Sequence, residues 1–272
     1  MNSEAAKSQA IHQPLLQLSD ISKCFGGVTA LNGVSLEIHR GSVHGLIGPN
    51  GAGKTTLFNV MTGLYQADKG DIHFAGKSLG RKVSPQTLAR AGIARTFQNI
   101  RLFANMTALE NVMVGQHCQT RTGLIGAILA TPAARREEMA IRQEALRLLA
   151  YVGLETNAAQ RLARNLSYGD QRRLEIARAL ALKPAVLALD EPAAGMNPSE
   201  TAQLKQLIRR LHGDGMTIVL IEHDVGLMMQ LCDRISVLDF GQKIAEGTPE
   251  EIRQHPEVIR AYLGSSDAAG KL

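Results

Sequence analysis

The run GPNGAGKTT at residues 48–56 fits the pattern G-x-x-x-x-G-K-[ST] and sits between an apolar run, SVHGLIG, and a helical one, KTTLFNVMTGL. Strand, loop and helix in that order form a phosphate-binding loop. Glycines at 48, 51 and 53 let the backbone turn its N–H groups inward around an anion, where a Cβ would obstruct the turn or the close approach. Lys54 is then placed for the β- and γ-phosphates of a nucleoside triphosphate, Thr55 offers its hydroxyl to Mg2+, and the following helix points its positive dipole end at the anion.

A second site of the same chemistry is AVLALDE, an apolar run ending in Asp190 and Glu191. Asp190 at the end of a buried strand is placed to hold Mg2+ through water, and Glu191 to polarise an attacking water. In LIEHD, His223 directly follows another buried run, at the carboxyl end where parallel sheets bind ligands, so its imidazole is a candidate for the γ-phosphate or the attacking water. Gln98 in RTFQNIRLF could reach Mg2+ or the water, although taken alone it reads as a surface residue. In LSYGDQRRLEIARAL, Ser167 and Gly169 open a helical run: Ser167 supplies a hydroxyl, Gly169 leaves its N–H open, and a helix beginning near Asp170 aims its dipole at whatever lies in front. Taken alone, Ser167 is an ordinary N-cap.

The elements that must position these groups follow from periodicity. LLQLSDISKCF, VSLEIHRG and DIHFAGKSL alternate as half-buried antiparallel strands do. SVHGLIG, AVLALD and MTIVLIE lack alternation, as strands covered on both faces of a parallel sheet do, and helix-length segments separate them. MNPSETAQLKQLIRRLHGDG carries helix punctuation, with Asn197 as N-cap, Pro198 in the first turn, Glu200 completing a capping box and Gly213 at the end; GTPEEI near Thr248 repeats the opening. From about residue 100 to 164 the chain is rich in Ala, Leu, Arg and Glu with no convincing strand, which reads as a helical insertion.

Composition excludes several classes. The chain has 272 residues, 44% hydrophobic and 20% charged, which rules out disorder and collagen-like repeats. Cys24, Cys118 and Cys232 are too scattered for a zinc site and read as buried, reduced thiols of a cytosolic protein. The net charge of +5 is distributed along helices among acids, as in ARREEMAIRQEALRLL, so a solvated face rather than a nucleic-acid surface is expected. The N-terminus has no signal-peptide core, and the apolar patch GLIGAILA falls far short of the roughly 20 residues that span a bilayer.

Together these motifs, in this order, resemble the ATP-binding cassette family over residues 15–263. The resemblance implies an α/β P-loop nucleoside triphosphatase with an antiparallel β subdomain and an inserted α-helical subdomain, and ATP and Mg2+ as cofactors. It implies one cassette domain over residues 1–264, with a nucleotide-binding core at 14–97 and 165–264, a helical subdomain at 98–164 and a flexible tail at 265–272. Phe25 matches the position that stacks on adenine; Gly48, Pro49, Asn50, Gly51, Ala52, Gly53, Lys54, Thr55 and Thr56 cradle the phosphates. Thr55, Gln98 and Asp190 are the metal set, and Glu191, His223 and Gln98 the catalytic one, with Gln98 the Q-loop residue and His223 the switch histidine. Ser167 and Gly169 fall in the signature motif, which contacts the ATP of a second subunit.

Three positions depart from the family pattern: Tyr168 where Gly is usual, Asp170 where Gln is usual, and Asn197 for the usual Asp in the turn AAGMNP. With the insertion QTRTGLIGAILATPAARREEM, these features are similar to the LivG-type subunits of branched-chain amino-acid importers, and related subunits for urea or other cargo share much of the pattern. The resemblance implies two transmembrane permease subunits, a second cassette in a heterodimer, and indirectly a substrate-binding protein, with the chain peripheral on the cytoplasmic face of the inner membrane. A soluble cassette protein acting on ribosomes or DNA is expected to carry two cassettes or a coiled-coil arm, and a GTPase would carry N-K-x-D; this sequence has neither.

Overall fold

The computed structural model describes residues 13–117 and 132–263. β1 (Leu16–Phe25) and β2 (Val28–Ile38) bury Leu16, Leu18, Ile21, Leu31, Val34, Leu36 and Ile38 and turn their other faces outward. β2 begins at Val28, six residues before the alternating run, because Gly26 and Gly27 both adopt positive φ and close a two-residue hairpin that pairs Phe25 with Val28. The run DIHFAGKSL is a hairpin rather than one strand: β4 (Lys69–Phe74) pairs antiparallel with β1, and the short β5 (Lys77–Ser78) returns along it. The order of this antiparallel sheet is β2-β1-β4-β5.

The second sheet contains β3 (Val43–Ile47), β6 (Ile93–Arg95), β7 (Val186–Asp190), β8 (Thr217–Ile221) and β9 (Arg234–Asp239), all parallel, with β10 (Gln242–Gly247) antiparallel at one edge. Its order is β10-β9-β3-β8-β7-β6. Every residue of β3, β7 and β8 is buried, which is why these strands carry no polar alternation. Successive side chains nevertheless sort by face. Leu46, Val186, Ala188, Val219 and Ile221 pack toward the antiparallel sheet and α1 (Lys54–Met61), whereas Ile47, Leu187, Leu189, Ile218 and Leu220 pack toward the remaining helices.

Apart from α2 (Pro85–Ala91), whose Leu88 packs on the antiparallel-sheet side, those helices are α3 (Ala108–His117), α4 (Pro132–Tyr151), α5 (Tyr168–Leu180), α6 (Pro198–Gly213), α7 (Val225–Leu231), α8 (Pro249–Gln254) and α9 (Pro256–Leu263). The punctuation read from sequence is present at both capping boxes, Asn197–Glu200 on α6 and Thr248–Glu251 on α8. At the other end of α6, Gly213 is the last helical residue and the left-handed turn falls on Gly215. Among the described residues of 100–164 there is no strand; α3, α4 and two 3-10 turns fill it, tied by one isolated bridge between Thr107 and Leu162. Leu109, Val112, Leu148 and Leu149 of α3 and α4 share one apolar cluster with Leu174 and Ala177 of α5.

Cys24 is exposed at the end of β1, contrary to the expectation of a buried thiol, because alternation has turned it outward beside Thr29. Cys232 is buried, and burial pushes its thiol up to about 12. Cys118, the patch GLIGAILA and the tail after residue 263 lie outside the described residues. No helix among the described residues is long and apolar enough to cross a membrane.

Candidate nucleotide site

The carboxyl ends of β3, β6, β7 and β8 lie along one edge of the sheet, and from them emerge the phosphate loop, Gln98, Glu191 and His223. Ligands of open parallel sheets bind at this edge.

The loop is held from outside by packing that only glycine permits. Gly48 has φ 150 and a Cβ there would collide with the carbonyl of Leu238; Gly53 has φ 98 and a Cβ there would lie 2.6 Å from the carbonyl oxygen of Ala30. Ala52 is buried in the core, and its carbonyl accepts the N–H of Gly241, which ties the loop to the turn after β9. α1 starts with no side-chain cap and no acidic residue in its first turn, leaving its first N–H groups for an external acceptor.

Lys54 is 5% exposed and has no carboxylate partner among the described residues; its ammonium donates to the carbonyls of Gly48 at 2.7 Å and Pro49 at 2.8 Å. Burial holds its pKa below the usual lysine value, with Glu191 opposing. A buried ammonium satisfied only by carbonyls, at the uncapped start of α1, suits a phosphate chain that would restore the missing negative charge.

Both oxygens of Glu191 are engaged. Gln98 Nε2 donates to Oε2 at 2.8 Å, and His223 Nε2 lies 2.7 Å from Oε1. Glu191 is 7% exposed and has φ 45, a left-handed conformation unusual outside glycine and held by its N–H bond to the carbonyl of Ile221. The next turn is tied down by Glu222, which accepts the N–H of Ala193 at 2.6 Å and whose carboxyl is raised by burial.

Asp190 is paired with Arg95, which the sequence reading left out: Nη2 lies 2.8 Å from Oδ2, and the same guanidinium bonds Asn59 and Thr62 and stacks on Phe58 and Phe97. The signal for Arg95 was a basic residue at the end of the short apolar run GIAR. Burial raises the Asp190 carboxyl and Arg95 opposes it. Among the described residues no three His, Cys, Asp or Glu side chains could hold a metal by themselves. Mg2+ binds through one or two protein oxygens plus phosphates and water, and Thr55, Asp190 and Gln98 are the side chains that would supply them.

Phe25 is 40% exposed and meets the Tyr65 ring edge-on at 5.2 Å, with the Lys23 ammonium 5.2 Å from its centroid. An aromatic ring left open at a strand end is available for stacking.

Ser167 and Gly169 stand apart from this cluster on α5. Ser167 Oγ accepts the N–H of Asp170 as N-cap, so the helix begins at Tyr168 rather than near Asp170. The Gly169 N–H is not open: it donates to Glu200 Oε1 at 3.3 Å. The ring of Tyr168 packs against Gly195, in the turn after Glu191, and its hydroxyl meets Arg172.

Comparison with known proteins decides the family. The model described as ABC transporter matches residues 31–194, well over half of the chain. The chain belongs to the ABC transporter family. Within it, a model described as branched-chain amino acid ATP-binding cassette transporter matches residues 242–268. The high-affinity branched-chain amino acid transport ATP-binding protein LivG of Salmonella typhimurium is 50% identical over 255 residues, covering 93% of this chain and 99% of LivG. BraF of Pseudomonas aeruginosa, described in the same words, is 47% identical over the same coverage. An ATP-binding cassette of an ABC transporter, solved in its ADP conformation, superimposes with TM-score 0.79 at 33% identity over 93% of this chain and 99% of that one. A dimeric cassette in a post-hydrolysis state bound to ADP and Pi gives 0.73 at 26% identity, over 86% and 98%. This ABC cassette is an ATP-hydrolysing, nucleotide-binding transporter subunit of P-loop α/β fold.

Proposed function

We propose that this chain is one of two ATPase cassettes driving a branched-chain amino-acid importer, docked on two permease subunits at the cytoplasmic face of the inner membrane. The cargo rests on the relatives' names and on the C-terminal match; the chemistry rests on one observation, Glu191 held between Gln98 and His223 beside a buried Lys54. The domain bounds follow the same reading: a nucleotide-binding core at 14–97 and 165–264, with the helical part at 98–164 facing the membrane partners.

In this reading the bracketed Glu191 is a resting arrangement. A carboxylate whose two oxygens both hold donors is a poor acceptor for a water proton. Arrival of nucleotide would draw the Lys54 ammonium off the Gly48 and Pro49 carbonyls onto the β- and γ-phosphates, and the ring of Phe25 would stack on the adenine. Mg2+, held through Thr55, Asp190 and Gln98, would neutralise charge on the phosphates. Recruiting Gln98 to the metal side and His223 to the γ-phosphate would free Glu191 to polarise the attacking water. Ser167 and Gly169 would close over the ATP of a second cassette, so turnover would require the pair, in which a different, related cassette is the expected partner.

The test is to tag this chain in its native cell, extract membranes in mild detergent and identify what copurifies. Two multi-span proteins and a second cassette are expected, with ATPase activity raised by a substrate-binding protein loaded with leucine, isoleucine or valine. Stimulation only by another solute such as urea would overturn the cargo, and ribosomal or nucleic-acid partners without membrane proteins would overturn the transport reading.

A further inference from the structure

Arg172 and Glu175 lie one helical turn apart on α5, with side chains 0% and 2% exposed. Their mutual bond, Nη1 to Oε2 at 3.0 Å, uses little of their capacity; most of the rest goes to the backbone around Gln98. Arg172 donates from Nη1 to the Phe97 carbonyl at 2.6 Å and from Nη2 to the Gln98 carbonyl at 2.8 Å. Glu175 Oε1 accepts the N–H groups of Phe97 at 3.2 Å and Arg101 at 3.4 Å. The pair therefore grips the Gln98 segment from both the donor and the acceptor side.

Stability is a weak explanation for such a pair. Two ions out of water cost several kcal/mol each, and apolar residues of similar volume are often as stable or more so. Burial alone raises the Glu175 carboxyl against the pull of Arg172. Arg172 Nε is buried with no hydrogen-bond partner among the described residues, a further cost. What the pair does supply is position: a planar fork reaches two successive carbonyls at once, which an apolar replacement cannot do.

Position matters here because of what lies at either end. Arg172 is five residues from Ser167, about 7.5 Å along a helix, near the end of α5 that the proposed function sets against a second cassette. Gln98 carries the amide bonded to Glu191. Tyr168, which stands where the family usually has glycine, touches both Arg172 and Gly195 of the turn after Glu191, and so closes the gap between these parts.

We propose that Arg172 and Glu175 are positioning residues that make α5 and the Gln98 loop one rigid body, so that ATP held by a second cassette at Ser167 and Gly169 sets where the Gln98 amide lies relative to Glu191. This rests on Gln98 acting at Glu191 and adds the element that carries the signal.

The experiment is a double-mutant cycle on kcat and KM for ATP in the transporter complex isolated through this chain. Arg172→Met is expected to lower kcat about tenfold or more with KM for ATP within about twofold, and to add no further loss in a Gln98→Ala background. Arg172→Met strands a buried carboxylate, so the cycle is repeated with Arg172→Lys, which keeps the charge but lacks the fork, and with the doubly neutral Arg172→Met/Glu175→Leu. All three substitutions should behave alike in folded protein. Multiplicative losses, or wild-type kcat for Arg172→Lys and the neutral pair, would overturn the coupling while leaving Gln98 in the site. Wild-type kcat for Gln98→Ala would overturn the role of Gln98 itself and the coupling with it.

Discussion

Arg95 and Asp190 form an ion pair of 2.8 Å whose side chains are 11% and 6% exposed, so the carboxylate assigned to Mg2+ is already neutralised by a guanidinium from the neighbouring strand. Removing one partner of such a pair leaves the other as an uncompensated buried charge. Arg95→Met is expected to lower folding stability by about 3–5 kcal/mol. It should also raise the Asp190 carboxyl further, because burial would then act unopposed by Arg95. A proton on that carboxyl would compete with Mg2+ in the proposed site, so nucleotide binding by the variant should need more Mg2+ than the wild type as the pH falls. Urea unfolding and Mg2+ titrations of a fluorescent ATP analogue measure both; unchanged stability would show that Asp190 does not depend on Arg95.

Glu191 and Lys54 lie in the same cluster but should separate in kinetics. Glu191→Gln keeps a polar side chain between Gln98 and His223 yet removes the carboxylate proposed to polarise the attacking water, so ATP should bind with near-wild-type affinity while turnover falls by about 10²- to 10⁴-fold. Lys54→Ala removes the only buried cation inside the phosphate loop and should abolish productive ATP binding itself. Equilibrium binding together with phosphate release distinguishes the two; undiminished turnover in Lys54→Ala would remove the loop from the mechanism.

The sequence spelled out the phosphate loop, the strand ends carrying Asp190 and His223, and both capping boxes, because each depends on a local pattern or on short-range geometry. Arg95, Glu175 and the bond from Gly169 to Glu200 could not be read that way. Their partners lie 95, 74 to 78 and 31 residues away, and only the tertiary fold brings them together. The short β6 was hidden for the same reason: three residues carry no period, and its identity depends on pairing with β7. The hairpin of β9 and β10 turns on Phe240 and Gly241, with φ 42 and φ 75; the glycine in RISVLDFGQKIAEG signals a turn, but a phenylalanine at the first position gives no local sign of a positive φ.

Glu200 performs two tasks with one carboxylate: Oε2 accepts the N–H of Asn197 to close the capping box, and Oε1 accepts the N–H of Gly169. A phosphate reaching Gly169 from a second cassette must replace that carboxylate. Glu200→Ala should therefore move two measurements in opposite directions. Losing half of the capping box should cost about 0.3–1.5 kcal/mol of stability, read as a lower Tm. Freeing the Gly169 N–H and removing a negative charge should tighten ATP-dependent association of cassettes, read by sedimentation in a Glu191→Gln background. Association that weakens in step with stability would mean that Glu200 is only a cap.

His44 on β3 gives the fold a pH dependence whose sign follows from burial. The side chain is 1% exposed, its Nε2 pairs with Ser236 Oγ at 3.0 Å, and its Nδ1 is buried without a partner among the described residues. Burial lowers its pKa from 6.5 to about 4; Glu246 on β10 opposes this, while Arg234 on β9, Lys243 on β10 and His39 reinforce it. Between those values the unfolded chain binds a proton at this residue that the folded chain refuses, so stability must fall as the pH drops from about 6.5 to 4. Each pH unit over which the two states differ by one proton is worth about 1.4 kcal/mol, which brings the full loss to the order of 3 kcal/mol. His44→Asn should lower stability at pH 7.5 by removing a packed ring, yet show a shallower decline toward pH 5 than the wild type in urea unfolding, because asparagine has no proton to take up. Equal slopes in the two proteins would mean that His44 titrates normally in the folded state.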